Sequence, residues 1–132
     1  VRARLEGRLL VNILIVDDSA SMRQMLSIVL SEEGHDVTEA GDGDVGYGKL
    51  TDNIDAVITD YNMPGVDGSE LIRRIRGGTT NRAVPILVLT TESDREKKEN
   101  GRIAGATGWM TKPFQKSSLI RALNKITRRV EF

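Results

Sequence analysis

The stretch AVITDYNMPGVDGSELI, residues 56–72, runs from an apolar strand through a carboxylate and a stiff turn into a helix. Val57, Ile58 and Thr59 favour a strand, and the apolar run breaks off at Asp60. In the turn that follows, Pro64 removes backbone freedom, while Gly65 and Gly68 permit turn geometries closed to other residues. GSELIRRIRG (68–77) then spaces Leu71, Ile72 and Ile75 for one face of a helix. Ending a hydrophobic strand on an acid puts that acid at the rim of a sheet.

Working outward, the same strand-then-helix unit recurs. VNILIVDD (11–18) is a buried strand that stops at two carboxylates. SMRQMLSIVLSEEG (21–34) is a helix whose Met22, Met25, Leu26, Val29 and Leu30 share one face, with Gly34 as its stop. DVTEA (36–40) is a short strand. DVGYGKLTD (44–52) is a second helix weakened by Gly46 and Gly48, each costing about 1 kcal/mol relative to Ala. IDAVITD (54–60) is the third strand and VPILVLTT (84–91) the fourth. DREKKENGRIAG (94–105) is a charged helix with little apolar face, TGWM (107–110) a short strand, and SSLIRALNKITRRV (117–130) a last helix with Leu119, Ile120, Leu123 and Ile126 inward. Apolar strands alternating with helices predict a parallel sheet covered on both faces.

The 132 residues suit one domain, residues 11–132, preceded by an extension or cloning remnant, residues 1–10, for which a short helix is an open conformation. Hydrophobic residues make up 39% and charged residues 29%, an ordinary soluble composition. Lys+Arg and Asp+Glu are both 19, so global charge gives no case for nucleic acid or membrane. The chain has no cysteine, which excludes disulfides, thiolate zinc sites and a cysteine nucleophile. No apolar run approaches the ~20 residues of a membrane span. VRARLEGRLL has no continuous apolar core and is a poor signal peptide, so a cytoplasmic monomer is the default expectation.

In open parallel sheets, sites form at the carboxyl ends of strands. The residues there are Asp17 and Asp18 after the first strand, Asp60 after the third, Thr90 and Thr91 after the fourth and Lys112 just past the fifth. If the first and third strands are neighbours, Asp17, Asp18 and Asp60 sit side by side and repel one another. A hard divalent cation held through oxygen removes that repulsion, and Mg²⁺ fits. A carboxylate can also act as a nucleophile and form an acyl phosphate. Mg²⁺ and Lys112 would then offset charge on the phosphoryl oxygens, with Thr90 donating its hydroxyl.

These residues resemble the receiver domain of two-component response regulators. The matches are the acidic pair in VDDS, Asp60 in DYNMPGVDG, Thr90 in LTTES, and Lys112 with Pro113 in GWMTKPF, in order across residues 11 to about 130. The resemblance implies a flavodoxin-like, doubly wound α/β fold: a five-stranded parallel sheet of order 2-1-3-4-5 with five helices. It implies phosphoryl transfer from a sensor histidine kinase to Asp60 with Mg²⁺ bound by Asp17, Asp18, Asp60 and the Asn62 backbone carbonyl. Lys112 and Thr90 would bind the phosphoryl group, and Trp109 holds the switch-aromatic position. The output would pass through the face of the fourth helix, fifth strand and fifth helix. The chain is most similar to the stand-alone, CheY-like chemotaxis subgroup, in which Asn62 and Glu92 would tune dephosphorylation. Its partners would include a flagellar motor-switch protein and a phosphatase. Trp109 is larger than the usual Tyr or Phe, and Gly46 and Gly48 stand where helix formers are usual.

Each residue has a blander reading. Asp17 and Asp18 alone suit a solvated turn or N-cap, Thr90 a strand residue, Lys112–Pro113 a strand exit and Trp109 core packing. His35 reads as a surface or junction histidine, and DREKKEN as a solvated face. Arg73, Arg74 and Arg76 come with no nucleic-acid motif. As a regulator, the chain would catalyse only its own phosphorylation and dephosphorylation. An aspartyl phosphatase would want an acid two residues after the nucleophile, where Asn62 stands. A nucleotide or flavin binder would want a glycine-rich loop after the first strand, where DDSASM stands. A receiver-like binding module, or a phosphate sink without motor output, is the remaining alternative.

Overall fold

Four successive apolar residues, Ile13 to Val16, make up most of β1 (Asn12–Val16), and all four are buried. A strand apolar at every position needs cover on both faces. The computed structural model, which describes residues 4–5 and 8–127, supplies it with two helical layers. β1 lies between β2 (Asp36–Ala40) and β3 (Ala56–Thr59), and β4 (Ile86–Thr90) and β5 (Gly108–Thr111) follow on the β3 side. Every pair is parallel, so the expected order 2-1-3-4-5 is the one observed.

Side-chain alternation divides the core. Leu14, Val16, Val57, Ile86 and Val88 point to one face with Leu71, Ile72 and Ile75 of α3 (Gly68–Gly77). Ile13, Ile15, Ala56, Ile58, Leu87 and Leu89 point to the other, against α1 (Ala20–Glu32) and α5 (Lys116–Thr127). Each fully buried Leu or Ile contributes about 1.5–3 kcal/mol, so these two layers dominate stability. α2 (Gly43–Lys49) and α4 (Arg95–Ala104) complete five helices. In α4 only Gly101 is buried, as its charged sequence foretold.

Several expectations need correction. Met25 is half exposed although its spacing placed it on the inner face of α1. At 100° per residue it lies about 120° from the line between Leu26 and Leu30, beyond the reach of the sheet. Residues before β1 are not helical where described: Arg4–Leu5 pairs antiparallel with Arg8–Leu9. His35 does sit at the α1–β2 junction, but it is buried rather than on the surface, and its Nδ1 accepts the Val11 N–H at 3.2 Å. The end of the last predicted helix, residues 128–130, lies outside the described residues.

Two of the glycines of α2, Gly43 and Gly46, reflect close packing, not weakness alone. A Cβ at Gly46 would come within 2.7 Å of Val16, and one at Gly43 within 2.7 Å of Val66. Gly65 takes a positive φ of 74°, as the turn reading requires. Gly68 serves differently, because a Cβ there would lie 2.3 Å from the Asp60 carbonyl oxygen. Gly68→Ala is therefore expected to destabilise the protein by about 1–3 kcal/mol through overpacking. Gly48→Ala, where the Cβ meets nothing within 4 Å, is expected to stabilise it by about 0.5–1 kcal/mol. Urea denaturation of both variants checks the pair, and equal effects would refute this packing account.

Candidate functional site

The strand ladders run one residue past their strands and bring the site together. Asp17 N–H donates to Ala40 O at 3.1 Å, Asp60 N–H to Val16 O at 3.0 Å, and Lys112 N–H to Thr90 O at 2.8 Å. These bonds set Asp17, Asp60, Thr90 and Lys112 along one rim. Lys112 Nζ donates to Asp17 Oδ2 at 2.8 Å and to Asp60 Oδ2 at 3.0 Å. The three side chains are 10%, 3% and 12% exposed, so this is a half-sealed ion-pair triad. Burial alone would lower the Lys112 pKa, but hydrogen bonds and charge from Asp17 and Asp60 outweigh it and hold the ammonium above the ordinary lysine value. The stability this group adds is present at neutral pH and lost only as pH rises through the raised value.

The backbone engages the remaining carboxylate oxygens. Asp60 Oδ1 accepts its neighbour's amide, Tyr61 N–H, at 2.6 Å. Asp17 Oδ1 accepts Ser19 N–H at 2.9 Å, and Ser19 Oγ caps α1 by accepting Met22 N–H. Asp18 is exposed and has no ion-pair partner among the described residues. Ligand oxygens of Asp17, Asp18 and Asp60 all lie within 4.8 Å of one another. Three carboxylates and one ammonium leave two formal negative charges and an all-oxygen donor set. That set matches a hard divalent cation such as Mg²⁺ and suits no soft metal.

Thr90 is fully buried, and its Oγ1 accepts Glu92 N–H at 3.2 Å rather than contacting the carboxylates. Asn62 Nδ2 donates to Glu92 Oε1 at 3.1 Å, joining the loops that follow β3 and β4. Lys97 Nζ donates to the same oxygen at 3.0 Å, and Asp94 N–H to Glu92 Oε2 at 3.0 Å. The run that read as a solvated face is exposed throughout, and its Lys97 meets Glu92 at the edge of the site. Trp109 stands apart from Thr90. Its ring lies 5.4 Å from Tyr61 at a 52° tilt and packs on Gly101, where a Cβ would come within 2.9 Å. Its buried Nε1–H has no hydrogen-bond partner among the described residues.

Sequence reading missed two supporting residues. Arg23 Nη1 donates to the Asp17 carbonyl at 2.6 Å, and its Nε sits 3.5 Å from Glu39, which also accepts Ser27 Oγ. Arg23 lies one turn into the helix after the acidic pair, which was the available signal. Tyr61 had no signal beyond its place next to Asp60, since its role depends on a ring contact with a residue 48 positions away.

Compared with known families, residues 13–124 match the response regulator receiver domain. The chain belongs to the response regulator receiver family. Chemotaxis protein CheY-3 of Vibrio cholerae serotype O1 is 38% identical to this receiver domain over 120 residues, 89% of this chain and 92% of that protein. Chemotaxis protein CheY of Pseudomonas aeruginosa is 37% identical over 120 residues, 89% of this chain and 97% of that one. The solved Vibrio cholerae chemotaxis protein CheY4 superposes with a TM-score of 0.84 at 40% identity, covering 89% of this chain and 98% of that chain. Among the described residues, no helix of the receiver is long and apolar enough to cross a membrane.

The Glu92 bridge has a direct check. Hydrogen bonds from Lys97, Asn62 and the Asp94 amide hold the Glu92 carboxyl at a pKa of about 2. A depressed carboxylate contributes above its unfolded pKa and loses that contribution as pH falls through the folded one. Carbonyl-carbon NMR is expected to give Glu92 a midpoint near 2, and Lys97→Met is expected to raise it. A midpoint in the ordinary range in the parent protein would show that the bridge does not persist in solution.

Proposed function

We propose that this receiver is a phosphorylation-dependent switch that takes a phosphoryl group from a sensor histidine kinase onto Asp60 and acts in chemotaxis. The observation that carries the reading is the Lys112 bridge: one ammonium holds Asp17 and Asp60 together beside the open carboxylate of Asp18. Asp17, Asp18, Asp60 and the Asn62 backbone carbonyl would hold Mg²⁺, which when bound offsets charge on the phosphoryl oxygens. A carboxylate oxygen of Asp60 forms the new P–O bond as the P–N bond of the phosphohistidine breaks. Lys112 leaves Asp60 and pairs with the phosphoryl group. Thr90 exchanges its turn contact for the same group. Asn62 and Glu92 border the mouth of the site and set how readily water reaches the acyl phosphate. The chemotaxis assignment rests on the CheY relatives, and it brings a flagellar motor-switch protein and a phosphatase as expected partners.

The signal would leave through Trp109. An orphaned buried N–H costs about 1–3 kcal/mol, so the ring position seen is poised for exchange with another. Movement of the ring would reshape the α4–β5–α5 face. A cleft of about 240 Å³ lies there, with Trp109 and Gly108 at its base and Arg95, Lys98, Glu99 and Arg102 on its rim. α4 buries so little apolar surface that its displacement costs little.

Incubation with acetyl phosphate, followed by acid-quenched intact mass, is expected to add one phosphoryl group only with Mg²⁺ present. Asp60→Asn is expected to add none, and a phosphorylated Asp60→Asn protein would overturn the assignment. No addition even with a cognate kinase would favour a binding-only domain. Lys112→Ala is expected to keep Mg²⁺ binding but lose most of the gain in partner affinity on phosphorylation. Normal gain in that variant would remove Lys112 from the switch.

A further inference from the structure

A second concavity of about 580 Å³ lies between α3 and α4, away from the acidic rim. Tyr61, Ser69, Arg73 and Arg76 line one side, and Asn100 and Ile103 the other. No carboxylate among the described residues lines it. The three arginines of α3 differ sharply in how they are neutralised. Arg74 pairs with Asp44 at 2.8 Å and Glu70 at 3.3 Å, on the side toward α2. Arg76 has no carboxylate partner among the described residues. Its guanidinium donates to the carbonyls of Gly105, Arg82 and Val84, which occupies four of its five N–H donors and fixes it as part of the wall. Arg73 is exposed, and its one hydrogen bond among the described residues goes from Nη1 to Ser69 Oγ at 3.2 Å. Its other donors remain open. In a chain of zero formal net charge, this groove holds two uncompensated cations.

We infer that the α3–α4 groove is a second site that binds a small organic anion, with Arg73 as the anion-binding residue. A guanidinium presents paired N–H donors that match phosphate or carboxylate oxygens. Arg76 adds fixed positive charge behind it, and Asn100 offers a neutral donor across the groove. The volume is in the range of small-molecule sites, about 300–1,000 Å³. Tyr61 ties the groove to the rest of the molecule. It lines this cavity, its amide holds Asp60 Oδ1, and its ring lies against Trp109. A bound anion therefore changes the surroundings of Trp109. Binding at Arg73 stands independently of Asp60 chemistry, whereas any effect on phosphoryl lifetime rests on the function proposed above.

The test exploits Trp109 as the single tryptophan of the chain. The full chain is titrated in metal-free buffer with adenosine monophosphate, citrate and uncharged adenosine, following tryptophan emission and ¹⁵N amide shifts. Metal-free conditions leave the acidic rim repelling anions. Adenosine monophosphate or citrate is expected to bind saturably, adenosine is not, and the shifts are expected at Tyr61, Ser69, Arg73, Asn100 and Ile103. Phosphate-only or carboxylate-only binding names the anion class. Arg73→Gln, an exposed change whose fold is verified by circular dichroism, is expected to weaken binding roughly tenfold or more. Lys98→Gln, on the Trp109 cleft, is expected to leave it unchanged. Absence of saturable anion binding would overturn the proposal. So would equal binding of adenosine, or shifts and losses that follow Lys98 instead of Arg73.

Discussion

The bridge from Lys112 Nζ to Asp17 and Asp60 is the constraint on which the site depends. It demands that β1, β3 and the exit from β5 finish at the same height. In the 2-1-3-4-5 sheet, β5 is separated from β1 by β3 and β4, so the lysine must reach back across two strands. The ladder bond from Lys112 N–H to Thr90 O holds its backbone at that height. A buried ion pair is weak evidence for stability, because desolvation offsets much of the attraction. Its value here is placement: without the ammonium, two nearly sealed carboxylates would repel each other and the rim would open.

The same lysine makes the acidic cluster usable. It neutralises one charge and leaves two, so the all-oxygen set still suits a divalent cation. Asp18, outside the bridge and exposed, remains available. Other hydrogen bonds restrain the rest: Tyr61 N–H orients Asp60, Ser19 N–H orients Asp17, and Arg23 of α1 holds the Asp17 carbonyl in the loop after β1. Phosphoryl chemistry of the kind proposed gains from such restraint, since little reorganisation remains at the moment of transfer.

Helix α4 is the counterpart to this rigidity. Gly101 is its one buried residue among those described, Ala104 packs partly against the core, and Ile103 is 70% exposed. What ties it down is polar or aromatic: Glu92 to Lys97 at its start, Trp109 on Gly101 in its middle, and Arg76 on Gly105 at its end. Each tie leads toward a different region: the Glu92 bridge to the mouth of the acidic site, Trp109 to the cleft beside β5, and Arg76 to the α3 groove.

Much of this was legible from residues alone. Unbroken apolar strands require a parallel sheet with both faces covered, and an acid or lysine just past such a strand can only lie at its carboxyl edge. That rule placed Asp17, Asp18, Asp60 and Lys112 at one edge, where the strand ends put them, because strand periodicity is local. Leu71, Ile72 and Ile75 were found for the same reason. Met25 was misplaced because helical spacing defines an arc but not which part of it the sheet covers. Only the tertiary structure decided that Lys112 bridges Asp17 and Asp60, that Thr90 faces its own turn, and that Trp109 rests on Gly101 and Tyr61. Those contacts join residues up to 95 positions apart. They are set by strand order, helix height and the space a glycine leaves, and none of these is encoded in any short window of the chain.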